Sequence, residues 1–284
     1  MGGSVFLLIV SCKDKPGIVA AICSFLFNKE ANIVDLQQHS TGSEGGTFFL
    51  RLEFFTKSPY IESAFNDDFR VHIAEKFQMQ YRVRRADEKQ VVIPFVSKMD
   101  HALMEVLWKW KKNEILCKIP FVISNHKDIE PAINSFGLEL IHIPVTKENK
   151  RSAEKEILEK VKDADLLILA RYMQILSGDF LDKFKNPVIN IHHSFLPAFP
   201  GAKPYERAFE KGVKVIGATS HYVTEELDAG PIIEQDVERV NHADNVKELK
   251  KLGRETERKV FSRAVQWHLE ERIIVHDNKC IVFQ

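Results

Sequence analysis

The stretch Pro187 to Gly201, Pro-Val-Ile-Asn-Ile-His-His-Ser-Phe-Leu-Pro-Ala-Phe-Pro-Gly, constrains the fold more than any other. It opens as an apolar β-branched run, Val188 to Ile191, and breaks into a loop where Leu196-Pro197 and Phe199-Pro200 hold each pre-proline residue extended. Such a run is a strand that delivers polar side chains to its own carboxyl end. Side chains alternate across a strand, so Asn190 and His192 share one face and Ile189 and Ile191 the other. In open α/β sheets ligands lie outside the carboxyl ends of the strands, where this pair would stand. Taken alone, the pair fits a satisfied buried amide and a surface imidazole equally well.

At 284 residues the chain has room for two domains, each able to bury a core without staples. Lys+Arg and Asp+Glu both total 40, so no net field gathers nucleic acid, and a small-molecule substrate is expected. Cys12, Cys23, Cys117 and Cys280 are far apart, with no Cys-x-x-Cys pair for zinc or redox chemistry, and read as buried free thiols in a reducing compartment. No apolar run approaches the roughly 18 residues of a membrane span, and the first residues lack signal architecture. Phe6 and the position of Cys280 fail the two lipidation patterns. A soluble, cytoplasmic protein is expected.

The first eighty-odd residues read as strand Val5 to Ser11, helix Ile18 to Phe27, strands Asn32 to Ser40 and Thr47 to Phe55, helix Tyr60 to Phe77 and strand Gln78 to Val83. Asp14 is placed to cap the first helix and Pro16 to occupy its first turn. Thr41 to Gly46 is a hairpin turn rich in residues that accept positive φ. The order βαββαβ is the ferredoxin-like plan. With Asp14-Lys15-Pro16-Gly17 between first strand and first helix, residues 1–84 resemble an ACT domain. That resemblance implies an amino-acid effector at the Gly-bearing turn, with Asp14 and Gly17 as contacts, and pairing of copies into a homo-oligomer. A well-formed turn with no ligand accounts for the same residues. The charged stretch Arg82 to Gln90 reads as a solvated connector rather than an RNA contact, and residues 85–90 as the linker.

From residue 91 to 284, apolar runs alternate with helical periodicity. Strands are expected at Val91 to Val96, Lys118 to Ser124, Leu138 to Ile143 and Leu166 to Ala170, with helices at Met99 to Lys111, Pro131 to Phe136 and Ser152 to Lys162. Helices at Gly178 to Phe184 and Tyr205 to Glu210 flank the Asn190 strand. Strands at Val213 to Thr224 and Pro231 to Val240, a long helix Asn245 to Glu270 and a small terminal hairpin complete the chain. This is a larger, doubly wound, mostly parallel α/β domain. The turn Ser97-Lys98-Met99-Asp100 lacks glycine, and there is neither a dinucleotide fingerprint nor a Walker A sequence.

Between the last two strands lies His221-Tyr222-Val223-Thr224-Glu225-Glu226-Leu227-Asp228-Ala229-Gly230-Pro231. If the His221 strand neighbours the Asn190 strand, Asp228 can fold back over His192. An acid beside an imidazole orients it, and an amide N–H can hold a developing oxyanion. Together they describe acyl transfer or amide hydrolysis without a covalent nucleophile. A metal site built from His192, His193, His221 and Asp228 is disfavoured: no His-x3-His spacing occurs, and adjacent His192 and His193 face opposite ways on a strand. For Glu225 and Glu226 a solvated turn is an adequate account.

Asn190-Ile191-His192, the loop Ser194 to Gly201 and the run Leu227-Asp228-Ala229-Gly230-Pro231-Ile232-Ile233 resemble the signature of the folate-dependent formyl transferase family. Leu169 to Ser177 is similar to the segment whose backbone grips the pterin in that family. The resemblance implies that Asn190, His192 and Asp228 are catalytic. It also implies that Met173, Gln174, Ile175 and Leu176 seat the pterin while Val223, Thr224, Glu225, Glu226 and Leu227 close over it. It calls for no cofactor and no metal, because the tetrahydrofolate derivative is the substrate. Family members that formylate glycinamide ribonucleotide carry a glycine-rich phosphate loop where this chain has Ser97 to Asp100. Those that formylate methionyl-tRNA append an RNA-binding domain. An ACT-like domain fused in front, with His192-His193-Ser194-Phe195-Leu196-Pro197 in place of His-Pro-Ser-Leu-Leu-Pro, resembles the branch that passes the formyl group of 10-formyltetrahydrofolate to water. A transferase to an amine acceptor and a silent amino-acid sensor are the alternatives, the second disfavoured by the presence of Asn190, His192 and Asp228 together.

Overall fold

The computed structural model describes residues 3–57, 62–198 and 204–284. The chain forms two compact units. The first runs through Glu88 and includes Glu270–Ile274 and Ile281–Gln284; the second comprises Lys89–Leu269 and Val275–Cys280. The tail pieces therefore fold with the first unit, although their place in the chain grouped them with residues 91–284.

In the first unit β1 (Ser4–Lys13), α1 (Ile18–Asn28), β2 (Asn32–Ser40), β3 (Thr47–Thr56), α2 (Glu62–Phe69), α3 (Glu75–Phe77) and β4 (Gln80–Arg85) follow one another. The antiparallel sheet has the order β2-β3-β1-β4. Inward alternation from β1 and β3 meets α1 and α2 in an aromatic core. Phe54 stacks on Phe6 at 5.4 Å and on Phe65 at 5.0 Å, and Phe25 meets Phe65 edge-on at 5.5 Å. Phe65, Phe69, Ile73 and Phe77 recur every four residues, wider than the α-helical turn of about 3.6. A π-helical turn at Arg70–Ala74, between α2 and α3, takes up the difference and keeps all four on the core. Tyr60 and Ile61, the expected start of this helix, lie outside the described residues.

Two expectations for the first turn are corrected. Asp14 does not cap α1: its carboxylate accepts a 2.6 Å hydrogen bond from the Ser40 hydroxyl. Pro16 precedes the helix, and Gly17 stands at the N-cap with φ +91°, a left-handed conformation that residues with a Cβ adopt only under strain. The arginines that open the charged stretch, Arg82, Arg84 and Arg85, are also not part of a free connector. They lie in β4, where Arg84 reaches Glu271 at 3.1 Å, Arg82 pairs with the same carboxylate, and Arg85 pairs with Asp87 at 2.7 Å. The opposite sheet face packs Ile9 and Phe49 against Ile274 and Phe283, and buried Arg51 donates to the Glu270 carbonyl.

The second unit runs β5 (Val92–Val96), α4 (His101–Lys111), β6 (Phe121–Ser124), α5 (Glu130–Asn134), β7 (Glu139–His142), α6 (Lys150–Val161), β8 (Leu166–Ala170), α7 (Gly178–Phe184), β9 (Val188–His192), α8 (Pro204–Lys211), β10 (Val215–Tyr222), β11 (Ile232–Arg239) and α9 (Val246–Leu269). Strands β12 (Ile273–His276) and β13 (Lys279–Val282) form the terminal hairpin. The 7-stranded sheet has the order β11-β10-β9-β8-β5-β6-β7. The strands β9-β8-β5-β6-β7 pair in parallel, while β10 and β11 are antiparallel to their neighbours. Ile93, Phe95, Leu167 and Leu169 pack under α6 and α7. Their neighbours point the other way, and α4 and α9 pack together with α9 against β9 and β10. Cys12 and Cys117 are buried free thiols as expected, but Cys23 and Cys280 are only half-buried. Among the described residues no helix is long and apolar enough to cross a membrane.

Phe54 is nearly solvent-free and carries two ring stacks. Phe54→Ala should cost the first unit about 3–5 kcal/mol in denaturant unfolding. A loss below about 1 kcal/mol would mean that this aromatic cluster does not hold the unit together.

Candidate active site

The site is set by how β10 pairs with β9. Their antiparallel register puts His221 opposite Asn190 and Thr219 opposite His192. After Tyr222 the chain turns out and returns, its two ends fastened by the Tyr222 amide donating to the Pro231 carbonyl at 2.9 Å. Gly230 is required at that closure, because a Cβ there would stand 1.8 Å from the Tyr222 carbonyl oxygen. The returning loop places Asp228, at φ +57°, over the end of β9. Its Oδ2 lies 3.2 Å from His192 Nδ1 and its Oδ1 3.7 Å from His221 Nε2.

These contacts fix the roles of the ring nitrogens. His221 Nδ1 donates to the Tyr222 carbonyl at 2.9 Å, which leaves Nε2 to accept from the Asn190 amide nitrogen at 3.3 Å. That amide nitrogen has a second hydrogen to give. His192 Nδ1 gives its hydrogen to Asp228, so in the neutral ring Nε2 carries the lone pair; this atom is buried without a hydrogen-bond partner among the described residues. Contact with His192 first, and then with His221, holds the Asp228 carboxyl well below the usual carboxylate range against the opposing effect of burial.

The trio opens on a cleft of about 400 Å³. Asn190, His192, His221 and Asp228 line it together with Met173, Gln174, Ile175, Leu176, Val223, Thr224, Glu225 and Leu227. Glu226 departs from this set: it is exposed and not on the wall, and it contributes its carbonyl, which accepts from the Thr224 hydroxyl at 3.1 Å. Met173, Ile175 and Leu227 form an exposed apolar rim, suited to the two faces of a flat heteroaromatic ring. The segment carrying Met173 to Leu176 is pinned at both ends. The Ser97 hydroxyl accepts from the Met173 amide at 2.9 Å, and Glu154 accepts from the Ser177 amide at 2.9 Å and from its hydroxyl at 2.6 Å. Ser97, in the turn that lacks a phosphate loop, thus positions the opposite wall of the cleft. Asp14 and Gly17 belong to the first unit.

His193 corrects an expectation. It lies one residue beyond β9, so strand alternation no longer governs it, and its ring stands 5.2 Å from that of His192 on the same cleft. Behind it is a buried ionic cluster. Glu257, on the inward stripe of α9, accepts from Tyr205 at 2.9 Å, meets His101 Nε2 at 2.9 Å and pairs with Arg171 at 3.5 Å. Burial alone would raise the Glu257 carboxyl, but His101, Arg171 and Tyr205 together outweigh it and hold it low. None of these partners is foreseen by motif. Glu257 does carry a signal, since it interrupts the apolar stripe Leu249, Gly253, Val260, Phe261 and Ala264. The end of the loop, Phe199 to Gly201, lies outside the described residues. Among the described residues no group of three or more His, Cys, Asp or Glu side chains could hold a metal ion.

Known proteins share this chain's domain organisation. The formyl transferase family model matches residues 89–265, and the ACT domain model matches residues 6–59. The chain is similar to a formyltetrahydrofolate deformylase of Bacillus subtilis, at 49% identity over 97% of this chain and 93% of that protein. It is 47% identical to one of Synechocystis, covering 97% of each. The crystal structure of a formyltetrahydrofolate deformylase from Pseudomonas syringae pv. tomato superposes with a TM-score of 0.95 at 42% identity, covering 100% of this chain and 96% of that one. Glycinamide ribonucleotide transformylase 1 from Symbiobacterium toebii matches 69% of this chain and 95% of its own, with a TM-score of 0.64 and 28% identity.

The depressed Asp228 value has a defined sign. The hydrogen bond from His192 to the ionised carboxylate contributes to folding above the unfolded carboxyl value of about 3.9 and loses that contribution as pH falls through the lower folded value. The Asp228 carboxyl carbon should therefore show no NMR titration between about pH 4 and pH 7; a midpoint near 3.9 would contradict the two-imidazole geometry.

Proposed function

The chain belongs to the formyltetrahydrofolate deformylase family, and from that premise we propose that its second unit hydrolyses 10-formyltetrahydrofolate to formate and tetrahydrofolate, breaking a linear amide C–N bond. The observation that carries this reading is the convergence of Asn190, His192 and Asp228 on one cleft whose rim is apolar. The pterin sits against Met173 to Leu176, whose backbone between the two pinned ends provides the polar groups to read its edge. Val223 to Leu227 cover it, and the formyl carbon lies beside Asn190.

With its carboxyl held so low, Asp228 alone is a weak base. It works through His192, whose Nδ1–H it accepts and whose Nε2 lone pair takes a proton from water as the oxygen bonds to the formyl carbon. The second N–H of Asn190 receives the oxyanion. As the C–N10 bond breaks, the imidazolium returns its proton to N10, and the formic acid ionises to formate. No metal or cofactor is required by this sequence of steps. Formate released in this way would feed purine synthesis and balance one-carbon pools. A cytoplasmic location, a homo-oligomer paired through the ACT sheets, and an amino-acid effector at Asp14 and Gly17 accompany the reading.

The likeness to glycinamide ribonucleotide transformylase favours one competing reading, transfer to an amine. Against it stands the turn Ser97 to Asp100, which has no glycine with which to cradle an acceptor phosphate. Incubation with 10-formyltetrahydrofolate alone separates the two: formate should be released without any acceptor, and a strict acceptor requirement would assign the chain to transfer. His192→Ala and Asp228→Asn should lower kcat by about 10²–10⁴ while tetrahydrofolate still binds. Undiminished turnover in either variant would remove these residues from the mechanism.

A further inference from the structure

The neutral ring of His193 has no role in the steps above, and its position gives it one. It lines the cleft with its ring 5.2 Å from that of His192, tilted by 39°, and neither of its nitrogens has a hydrogen-bond partner among the described residues. The groups facing His193 explain why it stays uncharged. Burial, first, and then the Arg171 guanidinium push its pKa down to about 4, with His192 acting in the same direction and Glu257 and Asp228 opposing. Arg171 and Tyr205 are in turn fixed by Glu257, which His101 holds from α4, and the Tyr205 ring lies 6.1 Å from that of His193. The cluster behind the site thus presents a neutral, rigidly backed imidazole to the cleft.

Resting on the hydrolytic reading, we propose that His193 is a catalytic residue that holds the attacking water: one ring nitrogen shares a hydrogen bond with the water and aims its oxygen at the formyl carbon, within reach of His192 Nε2. A neutral ring suits this task, since it can accept one water hydrogen while His192 takes the other; an imidazolium could only donate, and would compete for the lone pair that attacks. The proton balance is unchanged. The water oxygen bonds to carbon, one proton passes through His192 to N10, and His193 ends as it began. Without a formyl acceptor of its own to bind and orient, the enzyme must immobilise water, and the reaction gains from having that nucleophile positioned beforehand.

The test uses the full chain and 10-formyltetrahydrofolate with no acceptor. His193→Ala should lower kcat by about 10²-fold with KM changed less than about threefold, and tetrahydrofolate should bind as before. His193→Gln, whose side-chain amide can also hold a water, should recover about tenfold of the loss. A kcat within about threefold of the unsubstituted protein overturns the proposal. So does a glutamine variant no better than alanine, or a rise in KM that matches the fall in kcat, because each assigns His193 to packing or folate contact instead. Failure of the unsubstituted protein to release formate would defeat the hydrolytic reading itself, and is told apart because it needs no variant.

Discussion

One carboxylate shared between two imidazoles organises this molecule's second unit. Asp228 cannot reach His192 and His221 unless β10 runs antiparallel to β9 with His221 opposite Asn190, and unless the loop after Tyr222 turns back on itself. Both conditions are met by backbone geometry: a strand register on one side, and at the other a glycine that lets the chain pass within van der Waals distance of a carbonyl. The imidazoles then do different things. His221 is committed at both nitrogens, to the Tyr222 carbonyl and the Asn190 amide, so it fixes the amide's direction; His192 is committed at one, which leaves the other for chemistry. A site so connected behaves as a unit, and energies assigned to single members would not add.

Behind this unit lies a second polar layer in the core. An unpaired carboxylate as deep as Glu257 would cost several kcal/mol, which the sheet's apolar packing would have to offset. His101, Tyr205 and Arg171 satisfy it from α4, α8 and the segment after β8. Each of those elements is thereby tied to α9 by a directional contact as well as by apolar packing. The consequence reaches the cleft: Arg171 opens the segment that carries the apolar rim, and Ser97 and Glu154 fasten that segment's backbone while Met173 and Ile175 stay exposed. Rigid backbone carrying exposed apolar side chains is the usual form of a site for a flat ring.

How much of this was legible varies with the range of the interaction. The Asn190/His192 strand could be read from a short apolar run that turns polar at its end, and the Asp228 loop from an acid before Gly-Pro, because those patterns are local. The four-residue spacing of Phe65, Phe69, Ile73 and Phe77 announced a helix but not its π-helical turn, which arises when all four side chains must meet one core. Asp14 looked like a helix cap because it precedes a helix; Ser40, from a different strand, claims it instead. The strand ends at His192, so alternation does not govern His193, which shares the cleft with its neighbour.

By itself the sequence determined the element order, the division into a βαββαβ module and a larger α/β module, and the chemical identity of the three side chains that meet at the cleft. These follow from periodicity, turn chemistry and motif spacing, all of which act over a few residues. Only the tertiary structure decided that β10 lies antiparallel beside β9, that Glu270–Ile274 and Ile281–Gln284 fold with the first unit, that Glu226 turns outward, and that Glu257 gathers three partners. Those outcomes depend on which elements become neighbours, and the pairing of groups far apart in the chain is settled by burial and hydrogen bonding once the core has formed.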